Sequence, residues 1–182
     1  MIHRIKEIKD CLDKNLYEAA LALTLTLPDI CAQVEYPNIE FVGDRYKKWI
    51  EDFVDMSNLG DDASYHRIMS CFDQSVTAEN YPRLTVENLY KLRCNFLHSG
   101  NIEIKSSFFQ EFCLMKPESM GFVKNNLPAE WKIIHTTNGN NDAVYRIEID
   151  VKHLCLTICN AAEKYYNTKN SNDFINHTME IR

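Results

Sequence analysis

Apolar residues recur along most of this chain at the three-to-four-residue interval of helices that face a core. Ile5, Ile8 and Leu12 share one face within residues 3–13, with lysines and acids opposite. Asn15 is placed to cap a second helix through Tyr17, Leu21, Leu23 and Leu25. Pro28 is expected to interrupt it; Asp29 then restarts a turn or two as an N-cap, and the segment closes at Tyr36-Pro37. A third helix opens at Gly43-Asp44 and puts Tyr46, Trp49, Ile50 and Phe53 on its apolar face. Ser57 to Asp62 reads as a loop, and Ser64 to Phe72 as a short helix. Thr85 starts the next helix, with Glu87 in its first turn and Leu89, Leu92 and Phe96 as its stripe; Gly100-Asn101 ends it in a left-handed stop.

After Asn101 the period changes. Phe108–Met115 and Trp131–His135 read as strands, and Val144–Ile149 alternates apolar and polar as a half-exposed strand does. Asn138–Asp142 is turn-rich. Asp150 then caps a last helix that buries Leu154, Ile158, Ala161, Ala162 and Tyr165, and a polar tail follows from Asn167. The pattern predicts a mainly α chain, with a small antiparallel β insertion at about residues 106–149 between the Gly100-terminated helix and the last helix. A length of 182 residues, 45% hydrophobic and 25% charged, fits a single domain with a sizeable core.

A net charge of -6 argues against broad binding to long nucleic acids, which needs a basic face, but leaves room for a local cationic site. Met1-Ile2-His3-Arg4 runs straight into an amphipathic pattern, so no secretory leader is expected, and no apolar run reaches membrane-spanning length. Seven cysteines, an odd number without CxxC spacing, fit free thiols in a reducing cytoplasm. Cys155 and Cys159 stand four apart with His153 nearby, but no complete tetrahedral zinc set is visible, and no cofactor is expected. No Gly-rich phosphate loop, nucleophile elbow or HExxH occurs.

The chemistry concentrates at Leu89-Tyr90-Lys91-Leu92-Arg93-Cys94-Asn95-Phe96-Leu97-His98-Ser99-Gly100. A permanent guanidinium grips phosphate bidentately, and a histidine imidazole titrates near neutrality and can move protons. Asn95 stands three residues before His98, on roughly the same face, where it can orient a phosphate or ribose oxygen. Tyr90 can stack on a base, although a packed tyrosine is the commoner role. At about 100° per residue, Arg93 and His98 are separated by about 140° around the helix, with Arg93 beside the apolar stripe. A plainer role for Arg93 is an ion pair with an acid such as Asp29 or Glu35, and a histidine is favoured at any helix C-terminus. Lys47 and Lys48 form a small basic spot of the kind usual on a solvated face.

Arg93-x4-His98 near a helix end resembles the motif of the HEPN superfamily, in which a polar residue, often Asn, follows the arginine. Here Cys94 takes that place and Asn95 comes one position later. The flanking Leu-Tyr-Lys-Leu and Ser-Gly, and Leu25-Thr26-Leu27-Pro28-Asp29-Ile30-Cys31, also resemble uncharacterised prokaryotic HEPN-like proteins. The likeness covers about half the chain at motif level and leaves the strands unaccounted for. It implies a helical bundle that forms a homodimer, with Arg93 and His98 as the catalytic pair of a metal-independent endoribonuclease, Asn95 and Tyr90 as substrate-binding residues and Asp29 in support. Such proteins are often toxins, held by an antitoxin or other protein partner, or antiphage defence proteins. Others keep the fold without catalysis and bind RNA, a nucleotide or a protein. A purely structural dimerisation protein is the alternative from outside these classes. A site shared between two copies would relieve the angular separation and supply two histidines, one as base and one as acid.

Overall fold

The computed structural model describes residues 1–61, 65–71, 73–123, 127–139, 143–170 and 172–174. The described residues are mainly helical: α1 (Ile2–Asp13), α2 (Tyr17–Glu35), α3 (Val42–Phe53), α4 (Tyr65–Met69), α5 (Val86–Ser99) and α6 (Val151–Asn167). Strands β1 (Glu111–Met115), β2 (Phe122–Val123), β3 (Leu127–Pro128), β4 (Trp131–Thr137) and β5 (Ala143–Asp150) lie between α5 and α6. The chain divides into two compact units, Met1–Asp55 with Leu154–Arg182, and Met56–His153. Parts of the expected turn at Asn138–Asp142 and of the polar tail lie outside the described residues.

The first unit holds α1, α2, α3 and most of α6. Its apolar stripes close on one another: Ile5, Ile8, Leu12, Leu25, Leu27, Tyr46, Trp49, Ile50, Leu154 and Ile158 are buried. Removing such side chains from water supplies the main drive for packing, on the order of 2 kcal/mol each. The Tyr165 ring meets Trp49 and Phe53 edge-on, at 5.9 and 4.8 Å between centroids. Its hydroxyl donates to Glu35 at 2.9 Å, and Lys169 pairs with the same carboxylate. The Lys169 ammonium is the largest influence lowering the Glu35 carboxyl below its ordinary value. Lys9 reaches Glu163 at 2.9 Å, tying α1 to α6.

Two expectations for this unit fail. Pro28 does not interrupt α2, which runs unbroken from Tyr17 to Glu35, so Asp29 lies inside a helix and is not an N-cap. Proline removes one main-chain bond and crowds the preceding turn. Here Leu25, Leu27, Pro28, Cys31 and Ala32 are all buried, and that packing offsets the lost bond. Asn15 does not cap α2 either. Leu16 holds the cap position without a side-chain bond, while Asn15 takes φ 58°, the left-handed turn that ends α1. Asparagine tolerates that conformation, and the tight link needs it more than it needs a cap.

The second unit carries α4, α5 and the strands. Its three-stranded sheet has the order β1-β5-β4. The sheet is mixed, not antiparallel as the sequence pattern predicts: β4 and β5 are antiparallel, but β1 and β5 are parallel, with Glu111 opposite Arg146 and Met115 opposite Asp150. The cause is connectivity. After Met115 the chain passes through the antiparallel β2–β3 pair and enters the far edge as β4, so the returning β5 fills the centre in the direction of β1. Central placement also buries Ile147, Glu148, Ile149 and Asp150 in succession, which simple alternation does not anticipate. Buried Glu148 is matched by Lys132 at 2.9 Å and Arg146 at 3.6 Å.

Long loops are pinned to this sheet. Gly60 turns at φ 95° with the Trp131 ring against it; a Cβ there would stand 3.3 Å from the ring. The Arg83 guanidinium lies over the rings of Tyr81 and Phe108, at 4.5 and 4.1 Å. Asp73 accepts from the Ser75 hydroxyl and amide and from the Tyr145 hydroxyl. These donors, the Ser75 hydroxyl first, hold the Asp73 carboxyl down at about 2, against an ordinary 3.8. A depressed folded value means stabilisation that is complete above the ordinary value and is lost as pH falls towards the folded one. Asp73→Ala should therefore cost on the order of 1 kcal/mol at pH 6, after discounting for solvent screening. Denaturant melts of both proteins should show that difference shrinking between about pH 5 and pH 2; a pH-independent difference would refute the account.

Candidate functional site

Helix α5 has both ends fixed by local chemistry. Asn88 N–H donates to Thr85 Oγ1 at 3.3 Å while Thr85 N–H donates to Asn88 Oδ1 at 3.0 Å, a reciprocal capping box. Leu89 and Leu92 are fully buried and anchor the stripe. At the far end Gly100 adopts φ 69° and ψ 11°. Its N–H returns to Phe96 O at 2.9 Å, and Asn101 N–H approaches Asn95 O at 3.4 Å. The chain then folds back: Asn95 Nδ2 donates to Glu103 O at 2.6 Å, and Glu103 N–H donates to Asn101 Oδ1 at 2.8 Å.

Because α5 is regular from Val86 to Ser99, the angular separation of about 140° between Arg93 and His98 stands. Arg93 is half-buried, and His98 is exposed in the last turn. The Arg93 Nη1 lies 4.0 Å from the sulfur of Cys94, the residue in the place of the motif's usual polar side chain. Tyr90 is half-buried one turn before Cys94. Asp29 is half-buried in α2 and belongs to the helical unit, whereas Tyr90, Arg93, Asn95 and His98 belong to the mixed unit. Glu35, the other acid considered for Arg93, is engaged by Tyr165 and Lys169. The basic spot is neutralised: Lys47 pairs with Asp44 at 3.4 Å and Lys48 with Asp52 at 3.0 Å.

The face that carries His98 also carries Asn95 and Lys91; the three fall within about 60° of arc. There the returning loop borders an open surface cleft of about 320 Å³, lined by Lys91, Asn95, Asn101, Glu103, Ile104 and Lys105. Sequence reasoning missed Lys91 and Lys105. The positions of Lys91, four before Asn95 and seven before His98, were a usable signal; Lys105 joins only through the loop's return.

The cysteine-histidine trio near α6 has other partners. The His153 Nε2 lies 2.7 Å from Asn58 O, and its Nδ1 lies 3.5 Å from Glu130. Burial pushes the Cys159 thiol up to about 12 and raises Cys31 as well, keeping both neutral and unreactive. Among the described residues no three His, Cys, Asp or Glu side chains group as a metal site. No described helix is long and apolar enough to cross a membrane.

The αL stop sets the direction of the loop that completes the cleft. A Cβ at Gly100 would meet nothing within 4 Å, so Gly100→Ala tests backbone strain alone. It should lower stability by about 1 kcal/mol in denaturant unfolding; an unchanged midpoint would contradict the cap. Against known proteins, no family model, no curated protein and no solved structure matches this chain.

Proposed function

We propose that this protein is a HEPN-type, metal-independent endoribonuclease of the cytoplasm, acting as a homodimer in a toxin or antiphage defence role. The observation that carries the reading is the exposed His98 in the last turn of a regular helix, five residues after a half-buried arginine. The angle between them leaves a single copy without a complete site, and two α5 helices facing one another supply the missing half.

In this reading His98 of one copy takes the proton from a ribose 2′-OH. The freed oxygen attacks the adjacent phosphorus and forms a 2′,3′-cyclic phosphate. The bond to the 5′ oxygen breaks, and His98 of the second copy protonates that leaving oxygen. Arg93 offsets the charge that builds on the phosphoryl oxygens. The Oδ1 of Asn95 faces the ribose, since its Nδ2 is held by Glu103 O. Tyr90 stacks on a base, and Asp29 supports the bundle. No metal enters any step.

A second reading is a catalytically silent HEPN-like module that binds RNA, a nucleotide or a protein such as an antitoxin. The half-burial of Arg93 and the Cys94 departure favour it. Incubating purified protein with single-stranded RNA in EDTA separates the two. The enzyme reading expects cleavage leaving 2′,3′-cyclic phosphate ends, with His98→Ala slower by about 100-fold or more. Equal rates in both proteins would remove His98 from catalysis.

A further inference from the structure

We infer that the cleft beside His98 is a ribonucleotide subsite, which holds a phosphate of the RNA strand next to the one being cleaved. The inference rests on the RNA reading above and gives its site a second, non-catalytic half.

Lys91 and Lys105 bring two ammonium groups from different segments to one concavity, and both residues are exposed. Among the described residues neither is ion-paired, in contrast to Lys9, Lys47, Lys48, Lys132 and Lys169. In a chain of net charge -6, the hollow sets two ammonium groups against the one carboxylate of Glu103, a local cationic excess that a single phosphate fits on its lysine side. The remaining lining supplies the other groups a ribonucleotide needs. Asn101 spends its Oδ1 on Glu103 N–H, which leaves its amide NH₂ as a donor for a phosphoryl oxygen. Glu103 offers a carboxylate acceptor, which suits a ribose hydroxyl and repels a second phosphate. Hydroxyl recognition of this kind distinguishes RNA from DNA.

Position links the cleft to His98. Along the helix axis, His98 lies about 4.5 Å beyond Asn95 and about 10.5 Å beyond Lys91, on the same face. A strand whose phosphate rests on Lys91 and Lys105 therefore passes His98 within the next nucleotide or so. The hydrogen bond from Asn95 to Glu103 O keeps the loop, and with it Lys105, in place.

The test measures binding and cleavage separately. Binding of a labelled single-stranded oligoribonucleotide is followed by fluorescence anisotropy over a salt series in EDTA. The protein is His98→Ala, which prevents cleavage, with and without Lys91→Gln and Lys105→Gln together. The expected result is at least 10-fold weaker binding and a salt slope reduced by about 0.7, the value for one neutralised phosphate lost on a single strand. Glu103→Gln should narrow the preference for RNA over the matching DNA. Both lysines are exposed, so unchanged thermal melts of the lysine variant show that the fold is intact. Unchanged affinity and slope in the lysine variant would overturn the inference. So would lysine-dependent binding of inorganic phosphate or ribose 5-phosphate with no binding of the oligoribonucleotide. The lysine changes are also placed alone in the otherwise unaltered protein. If that protein cleaves RNA, with or without the lysines, and binding is lysine-independent, the subsite fails and the enzyme reading stands. Lysine-dependent RNA binding without any cleavage by the unaltered protein leaves the subsite standing and removes the enzyme.

Discussion

At about 100° per residue, α5 turns Leu89 and Leu92 into the core of its unit, leaves Arg93 and Asn95 half-buried on opposite flanks of that stripe, and exposes Lys91 and His98. That rotation governs what this end of the molecule can do. A guanidinium and an imidazole five residues apart on a regular helix do not converge on one phosphate. In the reading proposed above, two such helices combine, or the outward face serves recognition alone. Both ends of α5 are held by hydrogen bonds that fix this rotation, the Thr85–Asn88 box at the start and the Gly100 turn at the finish.

The turn at Gly100 matters beyond ending a helix. By entering the left-handed region it sends residues 101–105 back along the outward face, where Asn95 and Asn101 lock the loop through Glu103. One backbone conformation thus brings Lys105 to the same hollow as Lys91. Elsewhere in the unit, loops are tied down by polar pairs on tyrosines, Tyr81 with Asp61 and Tyr145 with Asp73. Buried Glu148 shows the same logic inside the sheet, where two cations offset the cost of removing a carboxylate from water.

Local chemistry was legible in the sequence and non-local pairing was not. The Thr85 cap, the Gly100 stop, the stripe of Ile5, Ile8 and Leu12, and Asp150 at the start of α6 all depend on neighbours within a few residues. Asp150 Oδ1 does accept from Lys152 N–H at 2.7 Å and from His153 N–H at 3.2 Å. Asn15 and Pro28 misled because each allows two outcomes that only context decides: a cap or a left-handed turn, a break or a packed helix interior. The parallel pairing of β1 with β5 joins residues about thirty-five apart, and no period within one strand encodes it. Of the candidate site, Arg93, Asn95 and His98 could be placed from spacing alone. The cleft could not, because it exists only once the loop returns.

The central proposal is that an active centre forms only between two copies, where one Arg93 beside one His98 gives part of the activity and the second copy's His98 gives the rest. Mixing Arg93→Ala and His98→Ala chains, each inactive by itself, tests it most directly, with heterodimers confirmed by native mass spectrometry. The account predicts that ribonuclease activity returns in part on mixing and is absent from either parent. Confirmed heterodimers without activity, or an unaltered protein that is active as a monomer, would contradict it.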